Sequence, residues 1–460
     1  MAEASLSEKL SSHHAAFQLA RVPDAVLEAA RLHLLDSLGC LLAGSRLKPG
    51  RLAYQLAVAT SGNDNTRLSA ALLGTGARVL FLDAVQGMSV AAHCGEMDDI
   101  HAGAGTCIGA MVVPALMAMG ERYGGCGSRF FEALIVGYET TVRVGLAINA
   151  PSLFDRGWWP STVCGVFGVA AAGAKFLGWS ADKTANALGI AALNAGGMIT
   201  GGNEGATARH LIFGRAAQAG VLALLGAEEG FTGPKRAFED RRGFCLTLAD
   251  DPKWDYLTAG DRHFLPEVAF KPYPCARQLH AGVEALLRLM RRHSLTSSSI
   301  EEIELSVPTA SAAVVSRPAT TMSRAAMLGC GQYVIAVAAL RGKMDLGSFT
   351  EEFLHSPEVH HLMAKVKIKA ASDLNRHFPR YWPGRVAVLL PDGHTLTQEI
   401  IISKGEIGNP MSAREVEEKF LDLALPILGN DSARAVIHEV CSLDDQESVQ
   451  ALISALKVRC

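Results

Sequence analysis

Apolar residues recur at three- and four-residue spacing from Pro23 to Ala43 (Val26, Ala29, Leu32, Leu35, Leu38), which predicts a helix with one buried face. The same texture continues through 109–122, 129–149, 163–178, 183–196 and 211–229. These segments are rich in Ala, Leu and Gly and are separated by short Gly, Ser or Asp breaks. They predict a helical domain whose small residues let helices approach closely. Near Leu265 the texture changes. EEIELSV at 301–307 and MAKVKIK at 363–369 alternate as strands do, and RVAVLLPDGHTLTQEIII at 385–402 reads as two strands around an Asp-Gly turn. Residues 323–341 between them read as helical. The tail from Ser412, SAREVEEKF, has Glu three residues after Ser, a helix-start signature. The expected fold is therefore mainly α: a large helical domain from both chain ends, 1–265 and 406–460, with a smaller α+β domain, 266–405, inserted between them.

Composition agrees with a folded enzyme-sized chain. The 460 residues are 49% hydrophobic and 19% charged, and single cores stop growing at roughly 250 to 300 residues, so two domains are expected. A formal charge of -3 with Lys and Arg spread along the chain gives no basic field for nucleic acid. The amino terminus, MAEASLSEKLSSHH, lacks the order of a secretory signal. No apolar run approaches the roughly 20 residues that span a bilayer. The expected location is cytoplasmic, with no membrane partner. The ten cysteines form no CxxC pair and signal neither a zinc site nor a disulfide framework. Buried reduced thiols are the plain reading, with Cys107 and Cys275 held open.

Three segments concentrate chemistry. His93-Cys94-Gly95-Glu96-Met97-Asp98-Asp99-Ile100-His101 puts three carboxylates and two imidazoles into nine residues of an apolar setting. Adjacent carboxylates repel when ionised, so such a cluster needs donors, cations or a shared proton. Acid–base work is one reason to keep it; a capping loop, with Asp98 or Asp99 accepting from helix amides, is the plain alternative. A metal site lacks a clean ligand spacing. Gly201-Gly202-Asn203-Glu204-Gly205-Ala206-Thr207-Ala208-Arg209-His210 leads into a helix and suits an anionic group; its spacing is not that of a dinucleotide fold. Phe270-Lys271-Pro272-Tyr273-Pro274-Cys275-Ala276-Arg277-Gln278-Leu279-His280 is stiffened by two prolines and lies where the two textures meet. It offers a cation, a phenol, a guanidinium and an imidazole. Trp158 and Trp159 read first as packing, with pocket lining as the alternative, and Tyr138 and Arg143 are secondary candidates.

In this order, LLDSLGCLLAG, HCGEMDDIH with VVPALMAMGE, VGYE, RGWWPSTVCGVFGVAAAGAKFLG, ARHLIFGRAA with GFTGP, AFKPYPCARQLHAG and GEIGNPMSAREVEEKF resemble the MmgE/PrpD family over nearly the whole chain. The family includes 2-methylcitrate dehydratase, cis-aconitate decarboxylase and iminodisuccinate epimerase. The resemblance implies a helical domain with an inserted lid, a homodimer, no metal or organic cofactor, and a small polycarboxylate substrate held where the Asp98-Asp99 loop, the Arg209 helix start and the Lys271 strip converge. Two positions depart from it: Cys107 and Trp159 stand where many members carry histidines.

The resulting expectation is a cofactor-independent lyase or isomerase that removes a proton beside a carboxylate. Asp98, Asp99 and His101 move the proton, Lys271 stabilises developing negative charge, and Tyr273 or Cys107 is a further acid or base. Arg209, Arg277 and His280 hold carboxylates, and Glu96, Trp159, His210 and Tyr138 complete the binding set. Dehydration and decarboxylation lead, and epimerisation is the alternative. A relative that binds carboxylates without catalysis is the reading of another class, and an unrelated metallo-hydrolase comes third.

Overall fold

A computed structural model describes residues 3–61, 69–201, 204–258, 260, 262–316 and 320–458. Nine helices run through the first 228 residues: α1 (Leu6–Ala16), α2 (Asp24–Arg46), α3 (Lys48–Ser61), α4 (Phe81–Cys94), α5 (Gly109–Tyr123), α6 (Gly127–Ala147), α7 (Pro160–Phe176), α8 (Ala181–Asn194) and α9 (Ala208–Glu228). Strands β1 (Ser69–Ala71) and β2 (Arg78–Leu80) form a short antiparallel pair. The chain divides into two compact units. The first runs up to Ile199, then takes His210–Val268 and everything from Ser412 on; the second is Thr200–Arg209 with Ala269–Met411.

The first unit is helical, as its periodicity predicts. Residues Gly109 to Gly120 of α5 are all buried, as is nearly all of α7, so these helices form its centre and the amphipathic ones surround them. α1, α3, α4 and the β1–β2 pair are elements that the periodicity does not predict. The polar amino terminus begins α1 because Ser5 and Glu8 form a capping box, with the Glu8 amide donating to Ser5 Oγ at 3.3 Å and the Ser5 amide donating to Glu8 Oε2 at 2.9 Å. α4 lies in a segment whose apolar residues are mostly Ala, Val and Met, too evenly spread to mark one face. The helix from Ser412 starts at the expected capping box and runs Ala413–Ser442, with a kink at Gly429 (φ 74°). Among the described residues one helix, Ala208–Glu228, is long and apolar enough to cross a membrane by length and composition alone, and 56% of its apolar window is buried inside the protein.

The second unit is built on four strands in the order β4-β3-β5-β6: β3 (Glu302–Val307), β4 (Val366–Ala370), β5 (Gly384–Leu389) and β6 (Thr395–Ile400). β3 pairs parallel with β4 and antiparallel with β5, and β5 turns into β6 through Asp392-Gly393, where Gly393 has φ 84°. Ile303, Leu305, Val386 and Val388 bury their side chains in one core with the helices His280–His293 and Gly331–Arg341. Two expectations shift here. The 363–369 strand starts only at Val366, because Pro357–Ala364 is a helix with Pro at its first turn. The helix expected over 323–341 breaks into Arg324–Met327 and Gly331–Arg341, with Gly329 in the gap.

Candidate functional site

The acid-rich segment is the turn that ends α4. Glu96 sits just past the helix, its amide donating to the His93 carbonyl at 2.9 Å, with φ 55°. Glycine is the usual residue at that left-handed position, since a Cβ there costs roughly 1–2 kcal/mol. A buried glutamate kept in that conformation points to a use for its carboxylate. Its Oε1 lies 3.7 Å from His93 Nε2. The other ring nitrogen, His93 Nδ1, is 2.8 Å from Asp98 Oδ2, and both side chains are buried. An aspartate accepting from Nδ1–H leaves Nε2 as the nitrogen that can exchange a proton. The imidazole is stacked on Phe213 with ring centres 3.9 Å apart and planes 5° off parallel; the Trp159 ring meets it edge-on at 5.1 Å and the His210 ring is tilted at 5.5 Å. His93 is thus fixed on every side. Sequence reasoning placed it in the cluster without assigning it a role, because the fit of Nδ1 to Asp98 depends on the turn and not on spacing.

Asp99, next along, has a different task. Its Oδ1 accepts the amides of Ile108 and Gly109 at 3.2 and 2.9 Å, the first amides of α5, while Oδ2 accepts from Tyr138 Oη at 2.5 Å and lies 2.9 Å from His33 Nδ1. Burial pushes its pKa up, but the His33, Tyr138 and Gly109 hydrogen bonds outweigh that and hold it below the ordinary carboxylate value. A carboxylate with all these donors anchors the start of α5. Tyr138 is tied to it: burial first, then the Asp99 charge, raises its phenol well above the ordinary value, and its hydroxyl donates to Asp99.

His101 also serves the loop. It pairs with Thr106 across a one-bridge hairpin; its Nδ1 accepts from the Ala104 amide at 3.0 Å and its Nε2 is 3.9 Å from Glu267 Oε2. That hairpin returns Cys107, whose amide donates to Ser161 Oγ at 3.0 Å, to the neighbourhood of His93 and Asp98. One ligand atom each from His93, Asp98 and Cys107 fall within 4.8 Å of one another, the spacing of a group that can hold a metal ion. The 2.8 Å separation of His93 and Asp98 is a direct hydrogen bond, however.

In the second unit the proline-stiffened strip is anchored by Phe270, whose amide donates to the Gly405 carbonyl at 3.1 Å. Lys271 is buried beside it. Arg277 places Nη2 2.5 Å from Glu406 Oε1 and donates Nη1–H to His280 Nδ1 at 2.9 Å, while His280 Nε2 faces the Cys275 carbonyl at 3.1 Å. Arg277 and His280 are thus held within the strip by Glu406, the Cys275 carbonyl and each other. Glu406, the missed partner, has its carboxyl raised by burial and pulled back by Arg277. Tyr273 lies edge-on to the His280 ring at 5.4 Å, and burial pushes its phenol up to about 12, so it stays protonated at neutral pH. Arg209 is half-buried at the start of α9; His210 is buried and belongs to the His93 surroundings instead of an anion-binding turn. Of the glycines before α9, Gly205 packs so closely that a Cβ would fall 2.0 Å from Ser323 Oγ; Gly202 and Asn203 lie outside the described residues.

Comparison with known proteins adds to this geometry. Residues 8–257 match the family model described as the MmgE/PrpD N-terminal domain, and residues 273–445 match the MmgE/PrpD C-terminal domain. The chain is 27% identical to a cis-aconitate decarboxylase-like protein of Aspergillus oryzae, covering 95% of this chain and 94% of the relative. It is 28% identical to the cis-aconitate decarboxylase of Homo sapiens, over 98% and 95% of the two chains. It is 24% identical to an alkylcitrate dehydratase of Talaromyces stipitatus over 52% of each.

Proposed function

The chain belongs to the MmgE/PrpD family, and on that footing we propose that it is a lyase acting on a small di- or tricarboxylic acid, with His93 moving the proton beside a carboxylate. The observation that carries this reading is the buried Asp98–His93–Glu96 array, in which Asp98 sets the tautomer and leaves Nε2 directed at the side of Glu96. In dehydration the pair left on carbon by the departing proton forms the double bond as hydroxide leaves with its own bonding electrons; in decarboxylation the pair of the broken carbon–carbon bond stays on carbon as carbon dioxide leaves, and takes a proton. A group at Nε2 can accept the proton in the first case and give one in the second. Cys107, close to the same pair, is a second acid or base at that place. Buried Lys271 and the helix-start Arg209 are carboxylate-binding and charge-stabilising cations in this proposal.

The named relatives are decarboxylases and a dehydratase, which favours loss of carbon dioxide or water over epimerisation. Proton NMR in D₂O with cis-aconitate, citrate, alkylcitrates and other four- to seven-carbon polycarboxylates tests it. One compound is expected to lose a signal beside a carboxylate and yield product, and His93→Gln is expected to slow that by about 10² to 10⁴-fold. If no compound reacts while carboxylates still bind, the chain is a binding relative and the proposal fails. Full activity in His93→Gln moves the proton step to another group.

A further inference from the structure

The helix Ala413–Ser442 carries a lysine that its amphipathic pattern does not explain. Lys419 is buried, with Nζ 2.6 Å from Asp36 Oδ1 on α2 and 2.7 Å from the carbonyl oxygen of Met97. Burying an ammonium group costs several kcal/mol unless a counter-ion and hydrogen bonds compensate it. Asp36 supplies the charge. Burial pushes the Asp36 carboxyl up and Lys419 pulls it back, while Asp36 first, then Cys40, and further on Asp98 raise the lysine above its ordinary value despite burial. The bond to Met97 is the unexpected part. That carbonyl belongs to the peptide unit whose nitrogen is the amide of Asp98, so holding it fixes the plane from which the Asp98 side chain leaves toward His93 Nδ1.

The surroundings make the clamp stiff. α2 and the Lys419 helix are in close contact: a Cβ on Gly39 would stand 3.2 Å from Phe420 Cδ2, and Phe420 is fully buried. α2 also carries His33, which meets Asp99 one residue beyond Asp98. The turn Glu96–Asp99 is thus gripped at consecutive positions, at the Met97 carbonyl by Lys419 and at the Asp99 carboxylate by His33, Tyr138 and the start of α5. Nothing in the chain between Asp99 and Lys419 brings them together; the return of the carboxyl-terminal helix does.

We propose that Lys419 is a positioning residue for the proton-transfer step: through the Met97 carbonyl it holds Asp98 in register with His93, while Asp36 compensates its buried charge. The proposal rests on the reading of His93 and Asp98 given above. The test compares Asp36→Asn, the double variant Asp36→Asn/Lys419→Met, and Lys419→Arg in the full chain. Asp36→Asn keeps the bond to Met97 and is expected to keep kcat within about threefold. The double variant replaces a buried ion pair with a neutral one, which proteins often tolerate, so its Tm is expected to lie at or above that of Asp36→Asn, where the ammonium loses its counter-ion. Its kcat is expected to fall about 10 to 100-fold with KM little changed, the size of effect that a misplaced catalytic group produces. Lys419→Arg keeps charge and donors, retains the ion pair that the fold needs, and is expected to recover most of the rate.

A folded double variant with the rate of Asp36→Asn overturns the proposal, as does an arginine variant as slow as the double one. Hydrogen exchange at the amides of residues 96–101 reads the clamp without any turnover: protection is expected to drop in the double variant and hold in Asp36→Asn. Unchanged protection there overturns the clamp even if the chain turns over none of the polycarboxylates, an outcome that by itself rejects only the proposed reaction.

Discussion

Two adjacent aspartates show how far one residue's chemistry depends on its partners. Asp98 meets the His93 imidazole, whereas Asp99 accepts from a phenol and two amides and meets the His33 imidazole. Nothing in the string MDDIH distinguishes them. Glu96 makes the complementary point, since its left-handed backbone is a local cost retained for its side chain. Glu96→Gly is expected to raise stability by about 1 kcal/mol by relieving that strain, while kcat falls; a thermal melt beside an activity assay checks both, and an unimpaired rate would remove Glu96 from the machinery. Gly109 is the tightest spot around Asp99. A Cβ there would stand 2.1 Å from Ser37 Oγ and 2.5 Å from Tyr138 Oη. Gly109→Ala is expected to cost about 1–3 kcal/mol by overpacking, read by denaturant unfolding, and to loosen the Asp99 cap.

At the scale of elements, the segments with strong periodicity were legible and the connections that aim them were not. α2, α5 to α9, the sheet strands and the Ser412 helix start all appear where hydrophobic spacing or capping chemistry put them, because those signals are local. α1, α3, α4 and the short β1–β2 pair did not; α1 announces itself by a cap, and α4 is apolar nearly all round. Helix positions are then locked by buried polar groups that spacing cannot reveal. Glu139 of α6 shows this: its Oε1 accepts the amides of Phe264 and Leu265 at 2.6 and 2.9 Å, and burial, only partly offset by those amides and Arg143, raises its carboxyl to about 7. A carboxyl raised in the folded state contributes stability that is whole below its unfolded value of 4.5 and is lost as pH rises through about 7. Glu139→Gln keeps the acceptor and removes the titration. Between pH 5 and 7.5 the wild-type chain is therefore expected to lose up to about 3 kcal/mol relative to this variant, and parallel Tm curves for the two would refute the linkage.

At the scale of the whole molecule, the first unit exposes an apolar surface among its described residues. Leu193 and Phe231 are 74% and 73% exposed. Gly226 brings Ile190 and Phe231 together, with its would-be Cβ 3.7 Å from Ile190 Cδ1 and 4.0 Å from Phe231 Cβ. Leu193 lies one turn from Ile190 on α8, and Leu222, 48% exposed, one turn from Gly226 on α9. The homodimer that the family resemblance implies is a proposal this surface supports. Sedimentation is expected to give a dimer at micromolar concentration and a monomer for Leu193→Glu/Phe231→Glu; a monomeric wild-type chain would sink it. The sequence by itself determined the helical body, the inserted sheet, the family and the segments where chemistry is concentrated, because hydrophobic period, capping boxes and clustered charge are properties of neighbours along the chain. Only the tertiary structure decided what each of these side chains meets: that His93 pairs with Asp98, that Asp99 caps α5, that Arg277 pairs with Glu406 and that Lys419 bonds to the Met97 carbonyl. Those are pairings of buried polar groups, some of them separated by as many as 322 positions, and a buried charge or donor is settled by whatever the fold sets beside it.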